Sequence, residues 1–322
     1  MKSYQEMIDR ITDIVCKNSA DRQNYILIGD NSSGKSDVLR NVVKRKLGGP
    51  VYFIDSVNRT FNADHVELVS DSFQNIRLDA QKVSEERISL FNYNLRDTFC
   101  VSSCIEQIFA KYSSKVFKLC KLFLNHELLI VREQLEAGVV ENQVLLDGIT
   151  VRLSSGYQAV VRLFSEILYF CDVMAQKEWD RGFVVIDELD EYLSPRHSAE
   201  IFNFLQENFA ALNFLVTTHS SDMAANTRNT NLILLYESDF EMYANSGSEH
   251  TADAESIFAK LFFEDKFIHQ SDDDSADRKL RKLLNLKIAG LWDDTAQKEL
   301  KGLKYGQMKP HQKMIYRQIE EW

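Results

Sequence analysis

A glycine-rich segment near the N-terminus constrains the fold of this chain more than any other feature. It follows an apolar run, residues 25–28, that is too short for a helix and predicts a buried strand. A helical pattern from Lys35 to Lys46 begins where the segment ends. The segment satisfies the pattern G-x-x-x-x-G-K-[ST] and reads Gly29, Asp30, Asn31, Ser32, Ser33, Gly34, Lys35 and Ser36.

A strand, a glycine loop and a helix in this order form a site for phosphate groups. Glycines allow the backbone to wrap around phosphates, and the helix N-terminus adds positive potential. Lys35 would reach the terminal phosphates, and Ser36 would ligate a magnesium ion. The sequence therefore predicts ATP and Mg²⁺ as ligands, bound by Gly29, Asn31, Ser32, Ser33, Gly34, Lys35 and Ser36.

A second motif places two carboxylates at the end of another predicted strand. Four apolar residues, 183–186, are followed directly by Asp187 and Glu188. Ligands of open α/β sheets lie at the carboxyl edge of the strands, where these side chains would stand. We expect Asp187 to hold the magnesium ion and Glu188 to polarise the attacking water as general base.

Uninterrupted apolar strands alternate with helical patterns through most of the chain. This alternation predicts an α/β fold with a mainly parallel sheet covered on both faces. Residues 97–146 are expected to be largely helical and to belong to a helical lobe of about residues 97–175. The other predicted strands are residues 51–54, 214–216 and 232–235, and the other predicted helices are residues 4–17, 155–174 and 196–209.

A third motif precedes the acidic strand and opens a long helix. Residues 153–158 read L-S-S-G-Y-Q and resemble the signature sequence of ABC-class ATPases, in the form seen in SMC-like and RecF-like members. The resemblance implies that Ser154, Ser155 and Gly156 bind the γ-phosphate of ATP held by the opposite subunit. It therefore also implies a homodimer with ATP sandwiched between the two chains.

Further residues fall where this resemblance places functional groups. Residues 187–195 are similar to the dimer-facing D-loop, with Leu189 in place of the usual proline and Ser194 in place of the usual histidine. His219 follows a strand, as does the switch histidine that contacts the γ-phosphate in the class. The glutamine that links the nucleotide to the helical lobe stays open between Gln74 and Gln81, and the loop of residues 55–59 is a third candidate.

Charge divides the chain near its C-terminus. The formal net charge is −10, but residues 235–277 hold 12 acidic and 2 basic residues, whereas residues 278–317 hold 11 basic and 3 acidic ones. We expect an ATPase domain over residues 1–238, then an acidic linker and a basic helical region over residues 239–322. One helical face of that region is predicted to carry Leu280, Leu283, Leu284, Ile288 and Leu291. The two charged segments either neutralise each other or leave the basic one to bind nucleic acid or an acidic partner.

Composition indicates a soluble cytoplasmic protein. No apolar run approaches the ~20 residues of a membrane-spanning helix, and the N-terminus shows no signal-peptide pattern, so no membrane partner is expected. Five cysteines without a C-x-x-C pair favour reduced thiols over disulfides or a zinc site.

The leading functional hypothesis rests on resemblance. Compact stand-alone ATPases of this kind resemble the Septu and retron-associated ATPases of bacterial anti-phage defence systems, in which the ATPase regulates a separate nuclease or toxin. The alternatives are a RecF-like DNA repair ATPase, which would need basic residues such as Arg40, Lys44, Arg45 and Lys46 near the cleft, and a nucleotide-gated scaffold. A transporter subunit is disfavoured because the strict L-S-G-G-Q form is missing.

Overall fold

The computed structural model divides the chain into two compact units, residues 1–262 and residues 263–322. The predicted domain boundary at residue 238 stays a prediction, because residues 244–278 are outside the described part of the chain. The structure describes residues 4–17, 23–57, 59–67, 79–89, 93, 104–134, 140–235, 239–243, 279, 280, 283, 287, 292, 294–303, 305, 313, 316, 317, 319 and 320.

The first unit contains a six-stranded sheet in the order β2-β6-β7-β1-β8-β9, in which all neighbouring strands run parallel except β8 and β9. A smaller antiparallel sheet has the order β3-β4-β5. The strands are β1 (Asn24–Gly29), β2 (Val51–Ile54), β3 (Leu128–Gln134), β4 (Val140–Leu146), β5 (Ile149–Thr150), β6 (Gly182–Ile186), β7 (Leu212–Thr218), β8 (Thr230–Leu235) and β9 (Phe240–Tyr243).

The helices agree closely with the predicted ones wherever the apolar period was clear. A 3₁₀ turn lies at Ala63–His65. The helices are α1 (Tyr4–Lys17), α2 (Lys35–Lys46), α3 (Ala80–Ile88), α4 (Cys104–Leu124), α5 (Ser155–Gln176), α6 (Pro195–Asn208), α7 (Ser221–Asn226) and α8 (Asp294–Lys301).

Both faces of the large sheet are buried, which explains why its strands are apolar throughout. Successive side chains of a strand point to opposite faces. Tyr25 and Leu27 of β1 pack in a core with α1 and α2. Ile26 and Ile28 of the same strand pack in a second core, with α4, α5 and α6. The predicted doubly covered, mainly parallel α/β fold is therefore confirmed.

The expectation that residues 97–146 are largely helical is wrong for their second half. α4 ends at Leu124, and β3 and β4 pair antiparallel from Leu128 and Leu146 onwards. Leu128 and Ile130 are buried, whereas Leu129 and Val131 are each more than a third exposed. This alternation is the period of a strand with one face on the core, and it overrides the weak helical pattern.

An ion network with no solvent exposure joins the lobe to the large sheet. Glu166 of α5 accepts from Arg87 of α3 at 2.8 Å and from Arg162 of α5 at 3.0 Å, and all three side chains are 0% exposed. The Tyr52 hydroxyl of β2 donates to the same carboxylate at 2.9 Å. Burial opposes the ionisation of Glu166, but the two guanidinium groups outweigh it and lower its pKa.

The second unit has a small apolar cluster of its own. Leu280 and Leu283, two residues predicted for one helical face, are buried together with Ala296, Leu300 and Ile319. Leu284, Ile288 and Leu291, predicted for the same face, lie outside the described residues. Across the described parts of both units, no helix has the length and apolar character that crossing a membrane requires.

Candidate functional site

The predicted site residues lie at the carboxyl ends of three adjacent strands. β7 lies between β6 and β1 in the sheet. The glycine-rich loop follows β1, Asp187 and Glu188 follow β6, and His219 follows β7. Because parallel strands end at one edge, this order brings residues about 190 positions apart in the chain into one site. β2, the neighbour of β6, brings the loop of residues 55–59 to the same edge.

The glycine-rich loop has the backbone conformation of a phosphate cradle. Ser32 has φ +67° and Gly34 has φ +102°, and Gly34 is the N-cap of α2. A side chain at Gly34 would be strained at this φ and would lie 2.8 Å from Ile8 of α1. Left-handed residues of this kind point successive N–H groups to one side of the loop, where they form an anion-binding concavity.

Lys35 folds back over this loop. Its Nζ donates to the carbonyl oxygens of Gly29 at 2.8 Å and of Asp30 at 3.0 Å. Burial lowers the pKa of the ammonium group, while the negative charges of Asp187 and Glu188 oppose that shift. The charge of Lys35 is thus held between the loop and the two carboxylates.

A buried polar group indicates that the loop fits a phosphate ligand. The Oγ of Ser33 is buried and has no hydrogen-bond partner among the described residues. A buried hydroxyl without a partner is costly, so such groups in native proteins usually have a partner. Together with the N–H groups at the start of α2, this hydroxyl suits phosphate oxygens as acceptors.

Asp187 is held by hydroxyl groups. Thr217 Oγ1 donates to its Oδ1 at 2.6 Å, and the Tyr93 hydroxyl donates to its Oδ2 at 2.6 Å. Ser36 also lies near the Tyr93 hydroxyl. The phenol therefore lies beside both predicted magnesium ligands and is hydrogen-bonded to Asp187.

This oxygen set fits magnesium only as part of a larger shell. The described residues contain no group of three or more histidine, cysteine or acidic side chains that could hold a metal. Mg²⁺ prefers octahedral oxygen coordination and commonly takes one or two protein oxygens, with phosphate oxygens and waters completing the shell. Ser36 and Asp187 suit that kind of site.

Glu188 has an unusual backbone conformation for its residue type. Its φ is +50°, in the left-handed region, and its N–H donates to Thr217 Oγ1 at 2.7 Å. His219 Nε2 lies 3.8 Å from Oε1 of Glu188, and both side chains are more than a third exposed. The neighbouring imidazole of His219 lowers the pKa of Glu188, against the effect of burial. The carboxylate is therefore ionised at neutral pH, as a general base must be.

The L-S-S-G segment begins α5 and is engaged within its own subunit. Ser154 is the N-cap, and its Oγ accepts from the N–H of Tyr157 at 3.5 Å. An added Cβ at Gly156 would lie 2.7 Å from the carbonyl oxygen of Tyr192, so this glycine lets the helix approach that backbone closely. The hydrogen bonds found for residues 153–158 go to α5 and to Phe61, and within the described residues none reaches the glycine-rich loop.

In sequence, the chain matches known proteins only in part. No protein-family model matches the chain. A stretch of 72 residues, 21% of the chain, is 35% identical to the Septu protein PtuA of Bacillus mycoides (strain KBAB4). The match spans only 10% of the length of that curated relative.

Two solved structures match this chain at low identity. An SMC head, solved bound to the C-winged helix domain of ScpA, is 15% identical with a TM-score of 0.37, and the match covers 70% of this chain and 90% of that one. The protein cbiO1 from Clostridium perfringens, part of the ABC transporter complex cbiONQ, is 14% identical with a TM-score of 0.37, over 82% of this chain and 86% of that one.

The chain is similar to ABC-class P-loop ATPases. By the sequence resemblance, the segment after β1 corresponds to the P-loop of that class, residues 153–158 to its signature and His219 to its switch histidine, and these roles stay predictions. The structure brings Lys35, Asp187, Glu188 and His219 together, whereas no hydrogen bond among the described residues joins residues 153–158 to the glycine-rich loop.

Two residues at the site were not predicted from the sequence. Tyr93 bonds to Asp187, and Arg59 donates to the backbone carbonyls that follow β6. Arg59 lies within the loop considered for the linking role, but nothing in the sequence distinguished it there. Of the candidate glutamines, Gln81 donates to the carbonyl of Gly49 at the amino end of β2, away from the site, and Gln74 is outside the described residues.

Proposed function

We propose that this chain binds and hydrolyses ATP with Mg²⁺ and works in the cytoplasm as a nucleotide-switched homodimer. The observation that carries the proposal is the convergence at three adjacent strand ends. It places a cradle for phosphates, a lysine, an ionised glutamate and a histidine at one edge of the sheet. A glycine loop of this shape without the acidic pair would bind phosphate but have no means of activating water.

Each side chain has a role that follows from its position. Lys35 supplies positive charge to the terminal phosphates, and Ser36 and Asp187 would hold the magnesium ion. Bound there, the ion would neutralise negative charge on the phosphates. Glu188 accepts a proton from the attacking water, and His219 orients the Glu188 carboxylate through their contact.

The dimer part of the proposal rests on the signature. Ser154 and Ser155 are exposed at the start of a 22-residue helix, and their described contacts leave the P-loop of the same chain untouched. A helix N-terminus favours negative charge. A second copy that presents Ser154, Ser155 and Gly156 to the nucleotide would complete the site, so closure would depend on the γ-phosphate.

Mass measurement with and without nucleotide tests this proposal. Glu188→Gln removes the base but keeps the shape of the side chain, so we expect Mg·ATP to convert this variant from monomer to dimer in light scattering while ATP turnover falls about 100-fold or more. The double variant with Lys35→Ala should stay monomeric because it loses the phosphate contact. A mass that does not respond to nucleotide, or full turnover in Glu188→Gln, would contradict the proposal.

We propose further that the ATPase is the regulatory or sensor subunit of a defence complex whose effector, a nuclease or toxin, is a separate protein. The partial similarity to the Septu protein PtuA supports this role. The test is protection of cells from phage when the gene is expressed with its neighbours. Lys35→Ala should abolish protection while the protein level is unchanged, and protection that survives this variant would contradict a nucleotide-driven role.

A RecF-like role in DNA repair finds less support at the end of α2. Arg45 pairs with Asp13 of α1, and Lys46 lies 4.5 Å from the centre of the Phe183 ring. Arg40 donates to the carbonyl of Ile88 at 3.1 Å. These three cations are engaged within the subunit, whereas Lys44 is exposed, so nucleic-acid binding would depend on Lys44 and on the basic segment of residues 278–317.

A further inference from the structure

Arg59 is a buried arginine that contacts the backbone of the proposed base. It lies in the loop after β2, beside β6, and is 4% exposed. Its Nη2 donates to the carbonyl oxygen of Asp187 at 2.8 Å and to that of Glu188 at 3.3 Å. One guanidinium nitrogen thus holds two consecutive carbonyl groups on the residues that follow β6.

These two carbonyls belong to a turn that needs support. Glu188 has φ +50°, a conformation that is unfavourable for a side chain other than glycine and persists where the surroundings enforce it. The N–H of Glu188 is held by Thr217, and the carbonyl side is held by Arg59. The direction of the Glu188 side chain follows from this backbone conformation, so the two contacts determine where its carboxylate lies.

The residues after Arg59 are bound to the signature helix. The carbonyl oxygen of Thr60 accepts from Arg162 Nη1 at 2.8 Å, and the N–H of Phe61 donates to the side-chain oxygen of Gln158 at 3.3 Å. Gln158 lies within the signature segment itself. A chain of three consecutive residues therefore connects the signature of one subunit to the general base of the same subunit.

Burial of this arginine also carries a cost that the fold alone does not explain. The Nε of Arg59 is buried without a hydrogen-bond partner among the described residues. A hydrophobic side chain in that place would leave no such group unsatisfied, but it would lose both bonds to the Asp187 and Glu188 carbonyls.

We propose that Arg59 is a positioning residue that fixes the left-handed turn at Glu188 and links it to the signature helix. The inference rests on the proposed ATP hydrolysis. The hydrogen bonds of Arg59 found among the described residues go to the Asp187 and Glu188 carbonyls, so it would act on the rate through the Glu188 carboxylate. Engagement of the signature by the second subunit would reach that carboxylate through Gln158, Phe61 and Arg59.

The inference predicts a split between binding and turnover. In Arg59→Met the Glu188 turn loses both carbonyl bonds, and a displacement of about 1 Å at the reacting centre lowers kcat about 100-fold. The KM for ATP, and the ATP affinity measured in a Glu188→Gln background, should stay within about 2-fold of their parent values, because the P-loop is unchanged. Arg59→Lys keeps a cationic donor and should recover about 10-fold of the lost kcat.

Arg87→Lys is the matched control. Arg87 is also buried, and it also donates to a backbone carbonyl, that of Phe53, while its ion pair within the described part of the chain is with Glu166. We expect this variant to lower the melting temperature with kcat within about 3-fold of the wild-type value. Should Arg59→Met fail to fold, the comparison of kcat between Arg59→Lys and Arg87→Lys decides, with a fall of about 10-fold expected in the former alone.

The outcomes separate the inference from the function on which it rests. Wild-type protein without ATPase activity would overturn both. Active wild-type protein with Arg59 variants of unchanged kcat would overturn the inference alone, and so would a loss of ATP affinity that accounts for the whole fall in rate. If kcat fell as much in Arg87→Lys as in Arg59→Lys, the effect would reflect general destabilisation. That result would also overturn the inference.

Discussion

Tyr93 is the residue whose contacts bear most directly on metal use. Its hydroxyl donates to Asp187 Oδ2 at 2.6 Å, its ring stacks on Phe53 with centroids 6.0 Å apart, and burial raises its pKa well above the usual range of a phenol. Binding of Mg²⁺ by this carboxylate oxygen would require the hydrogen bond to be released. The phenol would therefore compete with the metal for Asp187.

Tyr93→Phe removes that competition and keeps the ring. We expect the Mg²⁺ concentration for half-maximal ATPase activity to fall about 3-fold to 10-fold, because one hydrogen bond to a charged group no longer has to be broken. Tyr112→Phe is the control, since that hydroxyl donates to Asp172 of α5 at 2.7 Å, away from the site. A higher magnesium requirement in Tyr93→Phe would show instead that the phenol helps to hold the metal shell.

His219 sets the acidic limit of the proposed reaction. A group with a lowered pKa stays ionised to lower pH, so the base Glu188 is lost only when pH falls below the usual glutamate range. In His219→Gln the cause of the lowering is removed, and the pKa of Glu188 should rise. The acidic limb of the kcat profile should therefore move to higher pH, independently of any change in the maximal rate. An unmoved limb would mean that His219 does not control the ionisation of Glu188.

Residues whose role depends on local spacing could be predicted, and those whose role depends on strand order could not. The P-loop and the pair Asp187–Glu188 each follow one apolar run, so their place in the fold is visible from a few neighbours in the sequence. Arg59 contacts carbonyl groups 128 and 129 positions away in the sequence because β2 lies beside β6. Neither segment has a sequence pattern that predicts this pairing. The positive φ of Glu188 could not be predicted from the sequence either, because glutamate seldom adopts a left-handed conformation.

The signature helix has a structural requirement of its own at Gly156. Replacing a helical glycine by alanine ordinarily stabilises the helix by about 0.5–1 kcal/mol. Here the new Cβ would lie 2.7 Å from the backbone oxygen of Tyr192, which cannot move as the end of a flexible side chain can. The helix start and the D-loop segment are thus packed against each other within one subunit.

We therefore expect Gly156→Ala to destabilise the fold by about 1–2 kcal/mol, measured as a shift of the denaturant midpoint. Ser155→Ala, at the neighbouring exposed position, should change the free energy of unfolding by no more than about 0.5 kcal/mol. Equal midpoints for the two variants would contradict the close approach.

The small sheet contains a hairpin that the sequence indicates but that the helical prediction missed. Leu146 and Ile149 are paired across Asp147 and Gly148, both of which have positive φ, at +50° and +81°. An Asp-Gly pair between two apolar runs is a strong sequence signal for a two-residue hairpin. The helical prediction for residues 97–146 rested on the apolar content of this region and did not use that turn. For α4 the same content was a sound guide, because its buried positions recur at helical spacing.

At the scale of the whole molecule, the network around Glu166 joins the lobe to the sheet. Truncating one partner of a buried ion pair leaves uncompensated charge, so Glu166→Ala should lower the free energy of unfolding by about 3–5 kcal/mol, measured by denaturant titration. The control is Glu127→Ala, because its pair with Lys121 is more than half exposed and contributes at most about 1 kcal/mol. A small effect at Glu166 would mean that α5 is held to the sheet by apolar packing alone.

The position of β1 has a consequence for local opening. This strand is paired with β7 on one side and with β8 on the other along nearly its whole length. Its amide groups cannot reach solvent unless two ladders separate, so their hydrogen exchange should require global unfolding. The P-loop is attached to the end of this strand. The edge strand β9 can therefore fray while β1, which holds the P-loop in place, stays folded. The proposed nucleotide site would thus keep its shape between rounds of binding.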